Sequence, residues 1–250
     1  MKKTLLFSDV HLKAVPDDRP RHAQFAALLR AVSPDEFDRV ICLGDLFDFW
    51  FEYRTVIFSD FFEILCAFRK LREDGIEVHL ACGNHDFWGG RFLVDELGII
   101  VHEGDFVLDF GDKKALLGHG DGINPADWMY RFYKRFARHP LIVGAFRFIH
   151  PDYAMALARL VSHGSRTYLG VENPPEGPEA KALRAHALRL LEEGETDIVG
   201  LGHSHAPCIE TALGSHGEGV YINTGDWVNN RSYIVWDGAE FSLHSADKAE

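Results

Sequence analysis

The sequence predicts a mixed α/β (α+β) fold around a sandwiched sheet. Short apolar, β-rich runs alternate with helical patterns, and strands crowd together towards the C-terminus. The runs are residues 3–8, 39–43, 77–82, 115–118, 197–201, 219–223 and 232–236. Ser59-Asp60 gives a helix start ahead of residues 61–73, and Gly75 gives the stop. Pro178 sits at the first-turn position of a helix over 179–193, with Gly194 placed to cap its C-terminus. The Pro/Gly-rich stretch 172–178 reads as a surface loop. No repeat or low-complexity segment interrupts the chain, so residues 1–250 read as a single domain.

A composition of 46% hydrophobic and 26% charged residues is that of a folded globule and excludes disorder, collagen and disulfide scaffolds. The net charge of −12 repels polyanions, so no nucleic-acid partner is expected. Cys42, Cys66, Cys82 and Cys208 show no CxxC spacing, and Cys42 and Cys82 lie inside apolar runs as small hydrophobes. The N-terminal apolar run, Leu5-Leu6-Phe7, is far shorter than the ~7–15 residues of a secretory signal. No stretch approaches the ~18 apolar residues of a membrane span. A reduced, cytoplasmic chain is expected, attached at most to a membrane surface.

One segment differs in composition. Residues 128–166 hold seven basic residues (Arg131, Lys134, Arg135, Arg138, Arg147, Arg159 and Arg166) against one acid, Asp152. They also carry Phe132, Tyr133, Phe136, Leu141, Phe146, Phe148 and Ile149. The bland reading is an amphipathic helix pair packed on the sandwich. The sharper one is an inserted helical lid, greasy inside for acyl chains and basic outside for anionic headgroups. Trp50 and Trp88 are candidates for the same pocket.

The chemistry lies just past the ends of five of the runs. Asp9-Val10-His11 comes after the first, and Gly44-Asp45-Leu46-Phe47-Asp48 after the second. Gly83-Asn84-His85-Asp86, Gly118-His119-Gly120-Asp121 and Gly202-His203-Ser204-His205 come after the next three. Taken alone, Asp9-x-His11, Gly44-Asp45 and Gly83-Asn84 read as ordinary turns, while His203-x-His205 fits a turn and a metal site equally. Together they place Asp, Asn and His just past strand C-termini, where the loops of open α/β sheets converge on one crevice. Three clustered carboxylates without a cation would be costly, so a metal site is the better account. The donor set lacks Cys and suits Mn²⁺, Mg²⁺, Fe²⁺ or Zn²⁺, with manganese the first expectation. Seven ligands exceed the needs of one ion and fit two, ~3.5–4 Å apart, the arrangement that clamps both oxygens of a phosphoryl displacement.

These five blocks, in this order, resemble those of the calcineurin-like metallophosphoesterases. The resemblance implies a four-layered α-β-β-α sandwich and two divalent metal ions. One ion would take Asp9, His11, Asp45 and His205; the other would take Asp45, Asn84, His119 and His203, with Asp45 bridging. It also implies that His85 acts on the transition state, oriented by Asp86. Gly44-Asp45-Leu46-Phe47-Asp48-Phe49-Trp50, Gly83-Asn84-His85-Asp86-Phe87 and the insertion are most similar to the UDP-2,3-diacylglucosamine pyrophosphohydrolases of lipid A synthesis. That likeness implies hydrolysis of a lipid-nucleotide substrate to UMP and 2,3-diacylglucosamine 1-phosphate. It further implies substrate contacts at Asn84, Asp127, Ser162, Ser165 and Arg166, and peripheral contact with an anionic membrane. The best-known enzymes of that group carry Arg where His85 stands, and the run Tyr221–Trp227 resembles a sister branch. The alternatives are a phosphodiesterase or phosphatase of a water-soluble nucleotide or phosphoprotein, a nuclease, and a binding scaffold that has lost its chemistry.

Overall fold

The computed structural model describes residues 2–88, 90–124, 132, 136–137, 139–157, 176–215 and 217–246. In chain order its elements begin with β1 (Lys3–Phe7), α1 (Arg19–Ala31), β2 (Phe37–Cys42), α2 (Phe62–Glu73) and β3 (Glu77–Ala81). Next come β4 (Ile100–His102), β5 (Phe106–Phe110), β6 (Lys113–Leu117), α3 (Pro140–Phe146) and α4 (Pro178–Glu193). The C-terminal part holds β7 (Ile198–Leu201), β8 (Cys208–Gly214), β9 (Gly217–Asn223), β10 (Ser232–Trp236) and β11 (Phe241–Ser245). Two sheets form, ordered β11-β10-β1-β2-β3-β4 and β5-β6-β7-β9-β8.

Strand alternation sorts the apolar side chains into three layers of core. Leu5 and Phe7 of β1 join Val40, Val78 and Leu80 against Phe25 and Leu29 of α1 and Ile64, Phe68 and Leu71 of α2. Leu6, one residue out of phase, meets Ile41, Ala115, Leu117, Ile198, Ile222 and Ile234 between the sheets. On the far side Val199, Leu201 and Tyr221 pack under Leu183, Ala187, Leu190 and Leu191 of α4. The layers are therefore α-β-β-α. The inner strands β1, β2, β3, β6 and β7 pair in parallel within their sheets and are largely buried on both faces over their carboxyl-terminal halves, which is why those parts read as apolar runs.

The helix signals act as expected. Residues 59–61 form a 3-10 turn leading into α2, Pro178 opens α4, and Gly194 takes the left-handed cap at φ 72°. α1 is an addition: Asp18 and first-turn Pro20 mark its start in the sequence, although Asp18 makes no side-chain cap in the structure. β4, β5, β8 and β11 are likewise additions, and they are the four edge strands of the two sheets. Asp127, Ser162, Ser165, Arg166 and much of 128–166 lie outside the described residues.

An edge site yields a pH prediction. His79 on β3 places Nδ1 2.9 Å from Nε2 of His102 on β4, and the Phe106 ring stacks on His102 at 3.7 Å. Burial, with the charge on His79, pushes His102 down to about 4. The folded state thus disfavours a proton that the unfolded chain accepts near 6.5. Stability from this group is present above pH ~6.5 and is lost as pH falls to ~4. The urea midpoint should decline across that window, and His102→Gln should flatten the decline. Equal slopes for the two proteins would contradict it.

Candidate metal centre

All five motif loops leave the carboxyl ends of parallel-paired strands. The first two loops keep parallel-ladder contacts past the strands themselves: Asp9 N–H donates to Gly44 O at 3.0 Å and His11 N–H to Asp45 O at 2.9 Å. The β6 and β7 loops are tied by the Gly202 N–H to His119 O bond of 3.0 Å. Glycines are needed for close approach. A Cβ on Gly83 would fall 2.1 Å from Asp45 Oδ1, and one on Gly44, at φ +102°, 2.5 Å from His119 Nδ1.

Asp9, His11, Asp45, His203 and His205 all have positive φ, between 48° and 64°; Arg231 is the one other such non-glycine among the described residues. Each such conformation costs of order 1–3 kcal/mol and persists where the surroundings over-determine it, as at functional sites.

Two donor groups converge. Asp9, His11 and His205 each offer an atom within 4.8 Å of the others, as do Asp9, Asp45 and His119. Asp9 Oδ1 lies 3.3 Å from His205 Nε2 and 3.7 Å from His11 Nε2. Asp45 Oδ2 lies 3.3 Å from His119 Nε2 and 3.8 Å from His11 Nε2, so its carboxylate stands between the two groups. Asn84 Oδ1 is 3.1 Å from His119 Nε2. His203 packs its ring edge-on against His119, with centroids 5.0 Å apart. A further group joins His11, His85 and Asp48, an acid outside the ligand set expected from the sequence.

Outer partners fix these groups. Leu43 O accepts from His119 Nδ1 at 2.8 Å, which turns Nε2 towards the carboxylates. Asp9 Oδ2 accepts from Ser8 Oγ at 2.5 Å and from His203 N–H at 2.9 Å. Thr224 lies behind Ser8 at 2.7 Å, and Asp226 Oδ2 lies 3.8 Å from His205 Nδ1. Ser8, Thr224 and Asp226 carry no motif signal beyond standing in runs next to the site.

Electrostatics set the protonation. Burial opposes the charge on Asp9, but His205 and then His119 outweigh it and bring Asp9 down to about 2. Burial likewise opposes Asp45, yet His119 and His85 hold it well below the usual carboxylate range. In return His119 and His205 are raised against their burial, chiefly by Asp45 and Asp9 respectively. His11 is depressed, first by burial and then by His85, and stays neutral. Carboxylates this buried, facing imidazoles, make a cation site. Asp9 Oδ1 is buried without a hydrogen-bond partner among the described residues, and this acceptor fits a metal ion.

Asp86 does not orient His85. Its Oδ1 accepts from Gly83 N–H at 2.8 Å and its Oδ2 from Leu46 N–H at 2.8 Å, so it laces the β2 and β3 loops together. Burial and the charge on Asp45 raise it to about 7. Asp48 takes the place expected of Asp86: its carbonyl lies 2.9 Å from His85 Nδ1. Both Asp86 oxygens are taken by backbone amides of the β2 and β3 loops, and the His85 ring turns instead to the Asp48 carbonyl.

A family model, that of the calcineurin-like phosphoesterases, matches residues 2–207. The chain belongs to this family. Family members bind a pair of divalent ions, which the converging donors here suit, and the chain is a metal-dependent phosphoesterase. It is 30% identical to the UDP-2,3-diacylglucosamine hydrolase of Porphyromonas gingivalis over 100% of both chains. It is 28% identical to the protein of that name from Pseudomonas putida, over 96% of this chain and 97% of the relative. Among solved structures it is similar in fold to Yfce, a phosphoesterase from E. coli, with a TM-score of 0.50 and 13% identity over 99% of this chain and 95% of that one.

Ala137 and Phe146, which fall within residues 128–166, contact the residues that follow the motif loops of β2 and β3. Phe146 of α3 meets Trp88 at 4.9 Å and Phe51 at 4.7 Å, and Trp88 Nε1 donates to Ala137 O at 3.1 Å. Trp50 differs from the sequence expectation: it stacks on Phe47 at 4.4 Å inside the core. Phe132, Phe136, Leu141, Phe148 and Tyr153 are exposed. No helix among the described residues is long and apolar enough to cross a membrane.

Proposed function

We propose that this phosphoesterase hydrolyses the pyrophosphate of UDP-2,3-diacylglucosamine to UMP and 2,3-diacylglucosamine 1-phosphate. The observation that carries the substrate class is the aromatic seam of Phe146, Trp88, Phe49 and Phe51, which sets the apolar insertion beside the loops of Asp45 and Asn84. The full-length likeness to relatives of that name supports it. In this reading 128–166 is a lid over an acyl groove, and Asp127, Ser162, Ser165 and Arg166 contact the substrate.

Asp9, His11, Asp45 and His205 would hold one ion, and Asp45, Asn84, His119 and His203 the other, manganese being the first candidate. Such ions polarise phosphoryl oxygens and supply a nucleophile at neutral pH. The chain's own groups do the rest. Asp45 takes the His85 N–H at 2.8 Å on Oδ1, which fixes the carboxylate plane. His85, with Nδ1 anchored on Asp48 O, keeps Nε2 for the departing phosphate oxygen. That leaving group is a phosphate monoester, so a hydrogen bond to its developing charge matters more than a full proton. The exposed Phe132, Leu141, Phe148 and Tyr153, with the insertion's basic residues, suit peripheral contact with an anionic bilayer.

The test compares UDP-2,3-diacylglucosamine with UDP-glucosamine at equal metal loading. Each buried acyl methylene contributes ~0.8 kcal/mol, so the diacylated substrate should react far faster at low concentration. Equal rates would overturn the acyl groove and favour a soluble phosphodiester as substrate.

A further inference from the structure

Leu43 O stands behind His119, and for His203 the facing carboxylate comes from an element outside the motif loops. Glu179 stands in the first turn of α4, next to Pro178. Its Oε1 lies 3.5 Å from His203 Nε2, and its side chain is only 12% exposed. Its other oxygen accepts from Asn124 Nδ2 at 2.8 Å. Asn124 lies beyond His119 on the β6 loop, so Glu179 ties the loops of two expected ligands of one ion to a single helix.

The tie is rigid. Leu183, Ala187, Leu190 and Leu191 clamp α4 onto Val199 and Leu201 of β7, the strand that delivers His203. A carboxylate on an anchored helix can hold a ring in one rotamer better than one on a loop. With Nε2 turned to Glu179, His203 has Nδ1 left for an ion. His119 is arranged the other way round, with Nδ1 on Leu43 O.

We infer that Glu179 is a positioning residue for His203, acting on the ion held by Asn84, His119 and His203 and not on the ion held by Asp9, His11 and His205. This rests on the two-ion reading of the centre. A carboxylate behind a ligating imidazole fixes its tautomer and raises its basicity, and its removal costs 10–100-fold in affinity. Glu179→Gln keeps an acceptor oxygen but loses the charge, so it should fall between wild type and Glu179→Ala.

The test is calorimetric titration of Mn²⁺ into the full chain after chelator treatment, without substrate, with thermal melting alongside. Wild type is expected to bind two ions. Glu179→Ala should weaken one ion ~10–100-fold and leave the other at wild-type affinity, with Glu179→Gln weakening the same ion by a few fold. Asn124→Ala, which frees the carboxylate from its far side, should weaken that ion by a few fold as well, and this variant serves should Glu179→Ala fail to fold. A general structural role would lower the melting temperature while moving both affinities together, and that result would overturn the proposal. Two ions at wild-type affinity in Glu179→Ala would do the same. Fewer than two ions in wild type would overturn the two-ion reading, and the role of Glu179 with it.

Discussion

Asp45→Asn is expected to abolish turnover and to weaken both ions together, each by more than ~100-fold, because loss of a mere outer partner already costs 10–100-fold. Asp45 is the group whose oxygens face both clusters: Oδ2 approaches His119 and His11, and Oδ1 accepts the His85 amide. Asparagine preserves the shape and that amide bond but removes the charge. The fold should survive. In the metal-free chain His119 and His85 hold the Asp45 charge against its repulsion of Asp9 and Asp86, so removing it relieves that repulsion but loses the stronger attraction to the imidazoles. The melting temperature without metal should therefore fall modestly below that of wild type. Metal content after dialysis against Mn²⁺, measured with activity on the same sample, checks the prediction. Retention of one ion at wild-type occupancy would show that Asp45 serves a single site.

His85→Ala carries the second largest effect, a fall in kcat of ~10²–10⁴-fold with metal content unchanged. The ring is anchored by Asp48 O and packs edge-on against His11 at 4.7 Å, so it stands beside the donors. If the departing oxygen needs charge stabilisation, His85→Arg should recover most of the lost rate, because a guanidinium also donates and stays charged. Were a transferable proton needed, arginine would fail as badly as alanine. Metal loss in step with activity would instead make His85 a ligand of the His11 and Asp48 group. The two variants thus separate three roles by two readouts.

The parts of the fold visible in the sequence were those with a local cause. Inner strands buried on both faces at their carboxyl-terminal ends must be mostly apolar there, and so β1, β2, β3, β6 and β7 stand out as runs. Edge strands need less apolar surface and are blunted by charge and exposure; β8 alternates half-buried and exposed residues, and β5 exposes Val107 and Asp109. They become strands because an inner strand offers them a ladder, which a window of sequence does not contain. α2 and α4 announce themselves through Ser59-Asp60, Pro178 and Gly194, whereas α1 is held by Phe25 against Phe7 and Trp227, residues far apart in the chain.

The site divides in the same way. Sequence alone named the candidate donors, because Asp, Asn and His at strand ends are what the proposed two-ion centre requires, and short motifs write them in order. Tertiary structure decided what holds each of them. Asp86 proved to lace backbone amides, Asp48 took its place behind His85, and Glu179, Asp226 and Thr224 arrived behind the ligands from elsewhere in the chain. A ligand is specified by its own side chain, which one residue can encode. An outer partner is specified by proximity, which exists once two sheets and a helix have packed around a shared core.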